Sequence, residues 1–330
     1  MKKVWLFLLC FFSFLGALLI GPSDLFTPWD VIRWAFKPSS VDPVTGESIK
    51  TIVVDIRLPR AIIAFFTGAA LSISGNSLQN IFKNPLVCPY VLGLSSGAAF
   101  GAALALATGF HPTIFAFLFG LGAVALSYFI ALYGKHFSTM SLILGGIIVS
   151  GLFTAGLTFV QFLTDPFRLQ TIVHWTMGNL HNSNWPKVWA SVPWIALGSL
   201  FLYLKRWHLN GLALGDEEAE SVGLNPTIEK LLIVIFSTVA AASSVSVAGI
   251  IGMVGLAVPH MVRLLEGADN RKVQPSCFIL GGCFLLLVDI FSRSVTDFEL
   301  PVGIFTTLIG TPLFVYLLKK QKIMVMSSDL

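Results

Sequence analysis

Two charged residues one helical turn apart stand at the end of an apolar stretch late in the chain. Asp289 and Arg293 follow the run ILGGCFLLLV, and a spacing of four residues places their side chains on one face of a helix. A buried carboxylate in such a segment is what an ion-coupled carrier uses to bind its proton or cation. The neighbouring guanidinium fits equally a neutralised structural ion pair, and we favour that interpretation of Asp289.

Motifs for catalysis, nucleotide binding and metal binding are missing from the sequence. The segment GLNPTIEK lacks the glycine spacing and the Lys-Ser/Thr ending of a phosphate-binding loop, and neither HExxH nor GxSxG occurs. The six histidines are scattered, and the four cysteines form no CxxC pair. We therefore predict that the chain is not an enzyme and holds no cofactor or metal. Energy for any active transport would come from an ion gradient or from a partner.

A short acidic stretch, ALGDEEAESVG at 213–223, interrupts the apolar pattern. Four carboxylates lie within residues 216–220, in a helix-forming context bounded by Gly215 and Gly223. An anionic membrane surface would repel such a helix. The stretch is therefore either a solvated acidic turn or a helix that contacts another protein.

Two further stretches combine polar or rigid residues with apolar neighbours. RLPR places Arg57 and Arg60 just before an apolar run, where arginines anchor a helix end at the membrane interface or bind carboxylates of a docking protein. FKNPLVCPYVLG contains Pro85 and Pro89, which end helices and predict a shaped turn.

Apolar helices are the elements that carry these residues. Of the 330 residues, 55% are hydrophobic and only 12% charged, and the mean hydropathy is +0.82; a soluble globular protein has roughly twice that charged fraction. We predict an all-α polytopic membrane protein that forms a single domain over residues 1–330, with about ten transmembrane helices. The predicted spans are 4–20, 61–82, 95–109, 113–133, 140–163, 186–204, 231–248, 250–265, 274–292 and 303–318.

The distribution of basic residues predicts the orientation. With the N-terminus inside, 13 of the 21 Lys and Arg residues lie in cytoplasmic segments and 8 outside, which satisfies the positive-inside rule. The longest cytoplasmic loop is then about 205–230, and 319–330 is a cytoplasmic tail. The first apolar segment shows no convincing cleavage site, so we interpret it as an uncleaved span. Because the basic residues are dispersed between apolar spans, no nucleic-acid partner is expected.

Several of these segments together resemble one family. RLPRAIIAFFTGAALSISGNSLQNIFKNPLVCPYVLGLSSGAAFG resembles the signature region of the FecCD/BtuC family, whose members are permease subunits of ABC importers for iron–siderophore complexes, haem, cobalamin and, in some cases, molybdate. The resemblance extends in order over roughly residues 50–320. It continues through LILGGIIVSG, WTMGNL, LGDEEAESVGLNP, GIIGMVGLAVPHMVRL and ELPVGIFTTLIGTPLFVYLL.

The resemblance implies a BtuC-like, type II ABC importer permease fold and a set of partners. These are a second permease copy in a homodimer, two cytoplasmic ABC ATPase subunits that bind ATP and Mg²⁺, and an external or periplasmic substrate-binding protein. It places the chain in the cytoplasmic (inner) membrane of a bacterium or archaeon, with both termini in the cytoplasm. A heterodimer with a related permease chain is the alternative.

The resemblance also implies roles for particular residues. The acidic stretch becomes a coupling helix that contacts the ATPase, and the outer arginines bind acidic residues of the binding protein. The turn into the fifth span becomes the cytoplasmic gate, although hydroxyl residues there also suit a helix cap. The assigned residues are Leu214, Gly215, Glu218, Ala219 and Gly223 for ATPase coupling, Arg57, Arg60 and Arg293 for binding-protein docking, and Ser138, Thr139 and Met140 for the gate.

We therefore predict the transmembrane permease subunit of an ATP-binding-cassette importer. Its cargo would be an iron–siderophore, haem, cobalamin or similar metal-containing nutrient that the external binding protein delivers. The sequence does not distinguish among these substrates or molybdate. The alternative is a stand-alone, ion-coupled secondary transporter that uses Asp289 as its coupling carboxylate.

Overall fold

A computed structural model describes residues 2–21, 26–37, 42–132, 139–295 and 299–328. Throughout these ranges the regular secondary structure is helical. A π-helical segment, Thr51–Arg57, joins α3 to α4, and a 3-10 turn, Pro89–Leu92, precedes α5. The α-helices are α1 (Lys2–Leu19), α2 (Pro28–Phe36), α3 (Pro43–Lys50), α4 (Leu58–Ile81), α5 (Leu94–Thr108), α6 (Pro112–Leu132), α7 (Thr139–Leu163), α8 (Pro166–Thr176), α9 (Trp185–Leu204), α10 (Arg206–Leu214), α11 (Asp216–Ser221), α12 (Pro226–Ala248), α13 (Val254–Glu266), α14 (Asn270–Ser292) and α15 (Val302–Ser328).

Short polar residues set the starts of several helices. Asp165, Asn184 and Asn225 each accept a hydrogen bond from a backbone N–H in the first turn of α8, α9 and α12. A proline follows each of them within two residues, where its missing N–H costs no helical hydrogen bond. These caps allow a helix to begin abruptly at the edge of an apolar run.

Helix α4 forms the centre of the bundle and is buried along nearly its whole length. It packs against α9, α12, α13 and α14. Glycines permit the closest approaches: a Cβ at Gly68 would collide with the backbone of Gly281 in α14, and one at Gly75 with that of Gly255 in α13. Small residues at such crossings are how membrane helices bring their backbones together.

Between α12 and α13 the backbone leaves the helical conformation, and groups from elsewhere in the chain satisfy its polar atoms. The Tyr90 hydroxyl donates to the Ile251 carbonyl at 2.8 Å and accepts from the Ile251 N–H at 3.2 Å. Asn179 N–H donates to the carbonyl of Ala248, the last residue of α12, at 2.9 Å. Non-helical backbone is tolerated at membrane depth where protein groups pair with it in this way.

Each of the ten predicted spans coincides with a helix, and the all-α class is confirmed. Six helices in the described part of the chain are long and apolar enough to cross a membrane: α4 with the helical segment before it, α6, α7, α9, α12 and α14. The apolar stretches of α1, α5 and α15 are shorter, and α13 has 13 residues that include Arg263 and Glu266. The total of ten spans therefore stays a prediction.

Some helix boundaries differ from those predicted. Helix α12 begins at Pro226 rather than near 231, because Asn225 caps it, so the loop predicted at 205–230 is shorter and is itself helical. Helices α2, α3 and α8 were not predicted, since they are short and lie between the apolar runs. The turn at Pro85 and Pro89 is present and ends at Gly93, whose φ of 85° lies in the left-handed region.

Candidate functional site

The acidic stretch forms the short helix α11, separated from α10 by Gly215. Gly223 has a φ of 82°, which favours glycine. Ala219 is fully buried. Gly223 and the small Ala219 therefore allow the segment to fold tightly back on the bundle.

One side of this α10–α11 loop is fixed to the rest of the chain. The Lys230 ammonium contacts the Asp216 carboxylate at 2.6 Å, and the Lys83 ammonium donates to the Leu214 carbonyl at 3.0 Å. On the other side, the side chains of Leu214 and Val222 are 73% and 69% exposed. The loop thus presents two large apolar side chains beside carboxylates on a supported surface, which a merely solvated turn does not require.

A cluster of amide side chains around one guanidinium lies behind the loop and joins four helices. The Asn76 amide in α4 donates to the Asn270 side-chain oxygen at 2.8 Å, and the Asn270 amide donates to Asn80 at 2.9 Å and to Asn210 of α10 at 3.0 Å. Arg263 of α13 donates to the Asn76 side-chain oxygen at 2.8 Å and also contacts Gln79. We missed this cluster in the sequence, although the polar run SGNSLQN inside an apolar span is its signal.

At the opposite end of α4, Arg57 closes the last turn of α1. Its guanidinium donates to the carbonyls of Leu18, Leu19 and Gly21 at 2.8, 3.1 and 3.1 Å. The last carbonyls of a helix have no partner within the helix and carry partial negative charge, so a cation is stabilised there. Arg57 therefore holds the end of α1 against the start of α4.

Arg60 joins the start of α4 to two carboxylates. It lies 2.9 Å from Asp289 in α14 and 2.8 Å from Glu299 in the segment before α15. Arg293 lies 3.7 Å from Asp289 and donates to the Ala17 carbonyl at 2.6 Å. The ion pair predicted between Asp289 and Arg293 is present, but Arg60 is the closer partner. Two guanidiniums therefore pair with Asp289, as expected of a structural ion pair.

Glu299 is a member of this arginine cluster that sequence reasoning missed. Its carboxylate contacts both Arg60 and the His181 ring, the latter at 2.9 Å. Burial opposes its ionisation, but the Arg60 guanidinium and the His181 hydrogen bond outweigh that effect and hold the pKa of Glu299 below its ordinary value. No sequence signal pairs residues more than 100 positions apart.

The three arginines assigned to binding-protein docking are only 4–5% exposed in this chain. They do lie together, since a side chain at Gly21 would press on the guanidiniums of both Arg57 and Arg293. Across the described ranges, these three cations meet two carboxylates, so the cluster keeps an excess positive charge. The docking role stays a prediction, and any such contact must coexist with the internal bonds.

Two of the three residues assigned to the gate, Thr139 and Met140, lie at the start of α7. Ser138 is outside the described residues, and Thr139 is the first residue of the helix. Met140 is 73% exposed, at the beginning of a helix that leaves many large apolar side chains uncovered, among them Ile147, Leu152 and Phe162. The gate assignment stays a prediction.

Clusters of potential metal ligands are a separate feature to consider across the described residues. Within the described residues, no group of three His, Cys, Asp or Glu side chains comes close enough to hold a metal ion.

Comparison with known proteins identifies the family. The model of the FecCD transport family matches residues 8–320. The chain belongs to the FecCD transport family. It is 39% identical over 300 residues to the molybdate import system permease protein MolB of Haemophilus influenzae, covering 88% of this chain and 87% of that protein. It is 36% identical over 325 residues to a probable iron chelatin transport system permease protein of Helicobacter pylori strain 26695. That match covers 98% of this chain and 99% of that protein.

A solved structure has the same fold. It is an inward-facing conformation of a metal-chelate type ABC transporter, with a TM-score of 0.85 and 35% sequence identity. The match covers 97% of this chain and 100% of that one. The FecCD chain described here is therefore an ABC importer permease of the membrane-embedded type, and not an enzyme in itself.

Proposed function

We propose that this FecCD permease forms the translocation pathway of an ATP-driven importer for a metal-containing nutrient. The cargo class comprises iron–siderophore complexes, haem, cobalamin and related compounds. It also includes molybdate, because MolB is a molybdate import system permease protein. The observation that carries the proposal is the α10–α11 loop, which is anchored by Lys83 and Lys230 and exposes Leu214 and Val222. A surface of that kind suits an ATPase subunit that hydrolyses ATP on behalf of this chain.

In this proposal Leu214, Gly215, Glu218, Ala219 and Gly223 form the coupling contact, and the loop lies in the cytoplasm with both chain termini. The apolar side chains of Leu214 and Val222 contact the ATPase directly. Gly215 separates α10 from α11, Gly223 turns the chain through its positive φ, and Ala219 packs the loop on the bundle. Glu218 remains exposed for an ionic contact.

The arginine cluster would meet the external binding protein through its excess charge. Among the described residues Arg57 bonds only to neutral carbonyls, whereas carboxylates accompany Arg60 and Arg293. An acidic lobe of the binding protein is therefore attracted to a site whose strongest uncompensated charge is that of Arg57. Glu299 competes with such a lobe for Arg60.

A second permease copy completes the pathway in this proposal. Helix α7 leaves most of one face exposed, with large apolar side chains along it. A closed two-fold arrangement is the commonest one for identical subunits and would cover this face. Met140 would then stand near the inner mouth of a shared pathway.

Reconstituted vesicles test the proposal. We expect uptake that requires ATP, the ATPase subunits and the binding protein, and that vanadate inhibits. Uptake driven by an ion gradient through this chain alone would instead support the secondary transporter. The double pairing of Asp289 with Arg60 and Arg293 argues against that alternative.

A further inference from the structure

An apolar groove runs along the outer surface between α9 and α14, with α4 as its floor. Its volume is about 300 Å³, and its lining includes Phe66, Ile73, Leu200, Tyr203, Pro275 and Ile279. We call it the α9–α14 groove. The lining is almost wholly apolar, and its shape would accept part of an acyl chain.

Cations and aromatic rings stand at one end of the groove. The Arg206 guanidinium lies 4.1 Å from the centre of the Tyr203 ring and donates to the Tyr203 carbonyl at 2.9 Å. On the adjacent helix, the Arg271 guanidinium lies 4.5 Å from the centre of the Trp207 ring. Tyrosine and tryptophan rings flanked by basic residues are typical of the membrane–water interface.

Among the described residues, two of the cations at this end have no carboxylate partner. Lys205 pairs with Glu229 at 2.8 Å and Arg271 with Asp269 at 2.8 Å. For Arg206 and Lys272, the described residues offer no carboxylate within 4.0 Å. Lys272 precedes Pro275 by three residues and Ile279 by seven, so it lies on the face of α14 that lines the groove.

We infer that the α9–α14 groove binds one anionic phospholipid, with its phosphate between Arg206 and Lys272 and an acyl chain along the apolar lining. The chemistry follows the order of a phospholipid, from the cations Arg206 and Lys272, through the Tyr203 ring at the end of the lining, to an apolar slot. The stretch of α9 from Ala196 to Tyr203 spans about 10 Å, so the lining continues well below the Tyr203 ring.

A lipid bound in this groove would stabilise the junction between α9 and α10. Arg206 is the first residue of α10, the helix that leads to Leu214 and then to α11. A phosphate held by Arg206 and Lys272 would tie that junction to the first turn of α14. The inference concerns lipid binding by this chain and does not depend on the proposed ATPase contact or cargo.

Native mass spectrometry of the purified full-length chain in detergent tests it. Dioleoylphosphatidylglycerol and dioleoylphosphatidylcholine are titrated separately, and glycerol phosphate is added as a competitor. We expect one phosphatidylglycerol to bind more tightly than phosphatidylcholine, and glycerol phosphate not to displace it. Equal binding of both lipids, or displacement by glycerol phosphate at lipid-like concentrations, would overturn the assignment to an anionic phospholipid.

Two variants test the contact with the lipid headgroup and the contact with its acyl chain separately. Arg206→Ala/Lys272→Ala should weaken phosphatidylglycerol binding roughly 30-fold, since each basic side chain near an anionic headgroup contributes about five-fold. Binding of phosphatidylcholine should change little. Ala196→Trp, which places a large ring in the groove, should weaken binding of both lipids alike.

Arg33→Ala/Lys50→Ala is the matched control. It removes one arginine and one lysine from exposed positions on α2 and α3, away from the groove, so phosphatidylglycerol binding should stay within about two-fold of wild type. If the control variant loses as much affinity as Arg206→Ala/Lys272→Ala, the charge effect is not local and the inference is wrong. If Arg206→Ala/Lys272→Ala keeps the full preference for phosphatidylglycerol, these cations do not hold the phosphate.

Discussion

At one end of the α4–α14 helix pair Arg60 and Asp289 join the helices by an ion pair, and at the other end Asn76 and Asn270 join them by a neutral amide contact. Both contacts are buried, and both connect residues more than 190 positions apart. The helices are the same, but the electrostatics of their two ends differ. The arginine cluster is held by formal charges, three guanidiniums and two carboxylates among the described residues, whereas the amide cluster is held by dipoles around one guanidinium, that of Arg263.

This difference has consequences for how each end responds to change. A buried ion pair that loses one partner leaves an uncompensated charge, which is costly in a low-dielectric interior. A broken amide contact leaves unsatisfied but neutral groups, at a smaller cost. Charges also act over distance and are screened by salt, whereas amide contacts and apolar surfaces respond much less to ionic strength.

The largest effect is expected for Arg60→Met. It leaves the fully buried Asp289 with only the more distant Arg293, so the free energy of unfolding should fall by about 3 kcal/mol or more. Denaturant unfolding in mixed micelles measures it. Adding Asp289→Asn should restore part of the loss, because the uncompensated charge is then gone. A double variant less stable than Arg60→Met would contradict this account.

Asn270→Ala should cost less, about 1–3 kcal/mol of unfolding free energy, because it leaves the side chains of Asn76 and Asn80 short of partners without creating a charge. Asn182→Ala, at an exposed position, is the control and should lie within about 0.5 kcal/mol of wild type. If Asn270→Ala destabilises the protein as much as Arg60→Met, the two ends do not differ in the way described.

At the proposed ATPase surface, Leu214→Ser should weaken association with the ATPase subunits by about 1–2 kcal/mol while leaving unfolding unchanged, since the side chain is already exposed. The loss should be nearly the same at low and high salt, because the contact is apolar. Val44→Ser, a similarly exposed residue on α3, is the control. Unchanged affinity of the Leu214→Ser variant for the ATPase would show that Leu214 does not contact the ATPase.

At the arginine cluster, Glu299→Gln should strengthen binding of the external binding protein by about 1 kcal/mol, or roughly five-fold, at low salt. It removes a competing carboxylate from Arg60 and leaves the cluster one charge more positive. The gain should shrink as salt approaches physiological strength. Weaker binding, or a gain that does not depend on salt, would show that the excess charge is not what attracts the partner.

The smallest effect expected is a dependence on pH. Because the folded pKa of Glu299 is lowered, its ion pair contributes stability above the ordinary value of 4.5, and this contribution is lost as the pH falls through the lowered folded pKa. The carboxylate is partly exposed, so we expect less than about 1 kcal/mol. Wild type should exceed Glu299→Gln in stability at pH 6 and match it in strong acid. A difference that persists there would come from packing instead.

Much of the fold could be predicted from apolar runs and their flanking residues. The ten apolar segments all coincide with helices, since runs of this length have few alternatives in lipid. The caps at Asn225 and Asp165 are visible as Asn-Pro and Asp-Pro pairs. The short helices α2 and α3 were missed because they have no long apolar run, and their formation depends on packing against α1 and the segment before α4.

The candidate sites could be predicted only in part. The acidic helix was visible, since four carboxylates between two glycines stand out against apolar flanks. The four-residue spacing predicted the Asp289–Arg293 pair, which is present at 3.7 Å. That spacing could not reveal Arg60 as the closer partner, nor Glu299 and His181, because local periodicity carries no information on contacts between distant helices.

By itself, the sequence determined that the ten apolar segments are helical, where several of them begin, and the family to which the chain belongs, because apolar runs, capping residues and short motifs are local properties. Only the tertiary structure decided which charges compensate one another. Glycines at 68 and 281 bring α4 against α14, and that approach places Arg60 on Asp289 at one end and Asn76 on Asn270 at the other. The physical reason is that a buried charge or amide is stabilised by whatever group packing brings within about 3 Å, whatever its distance along the chain.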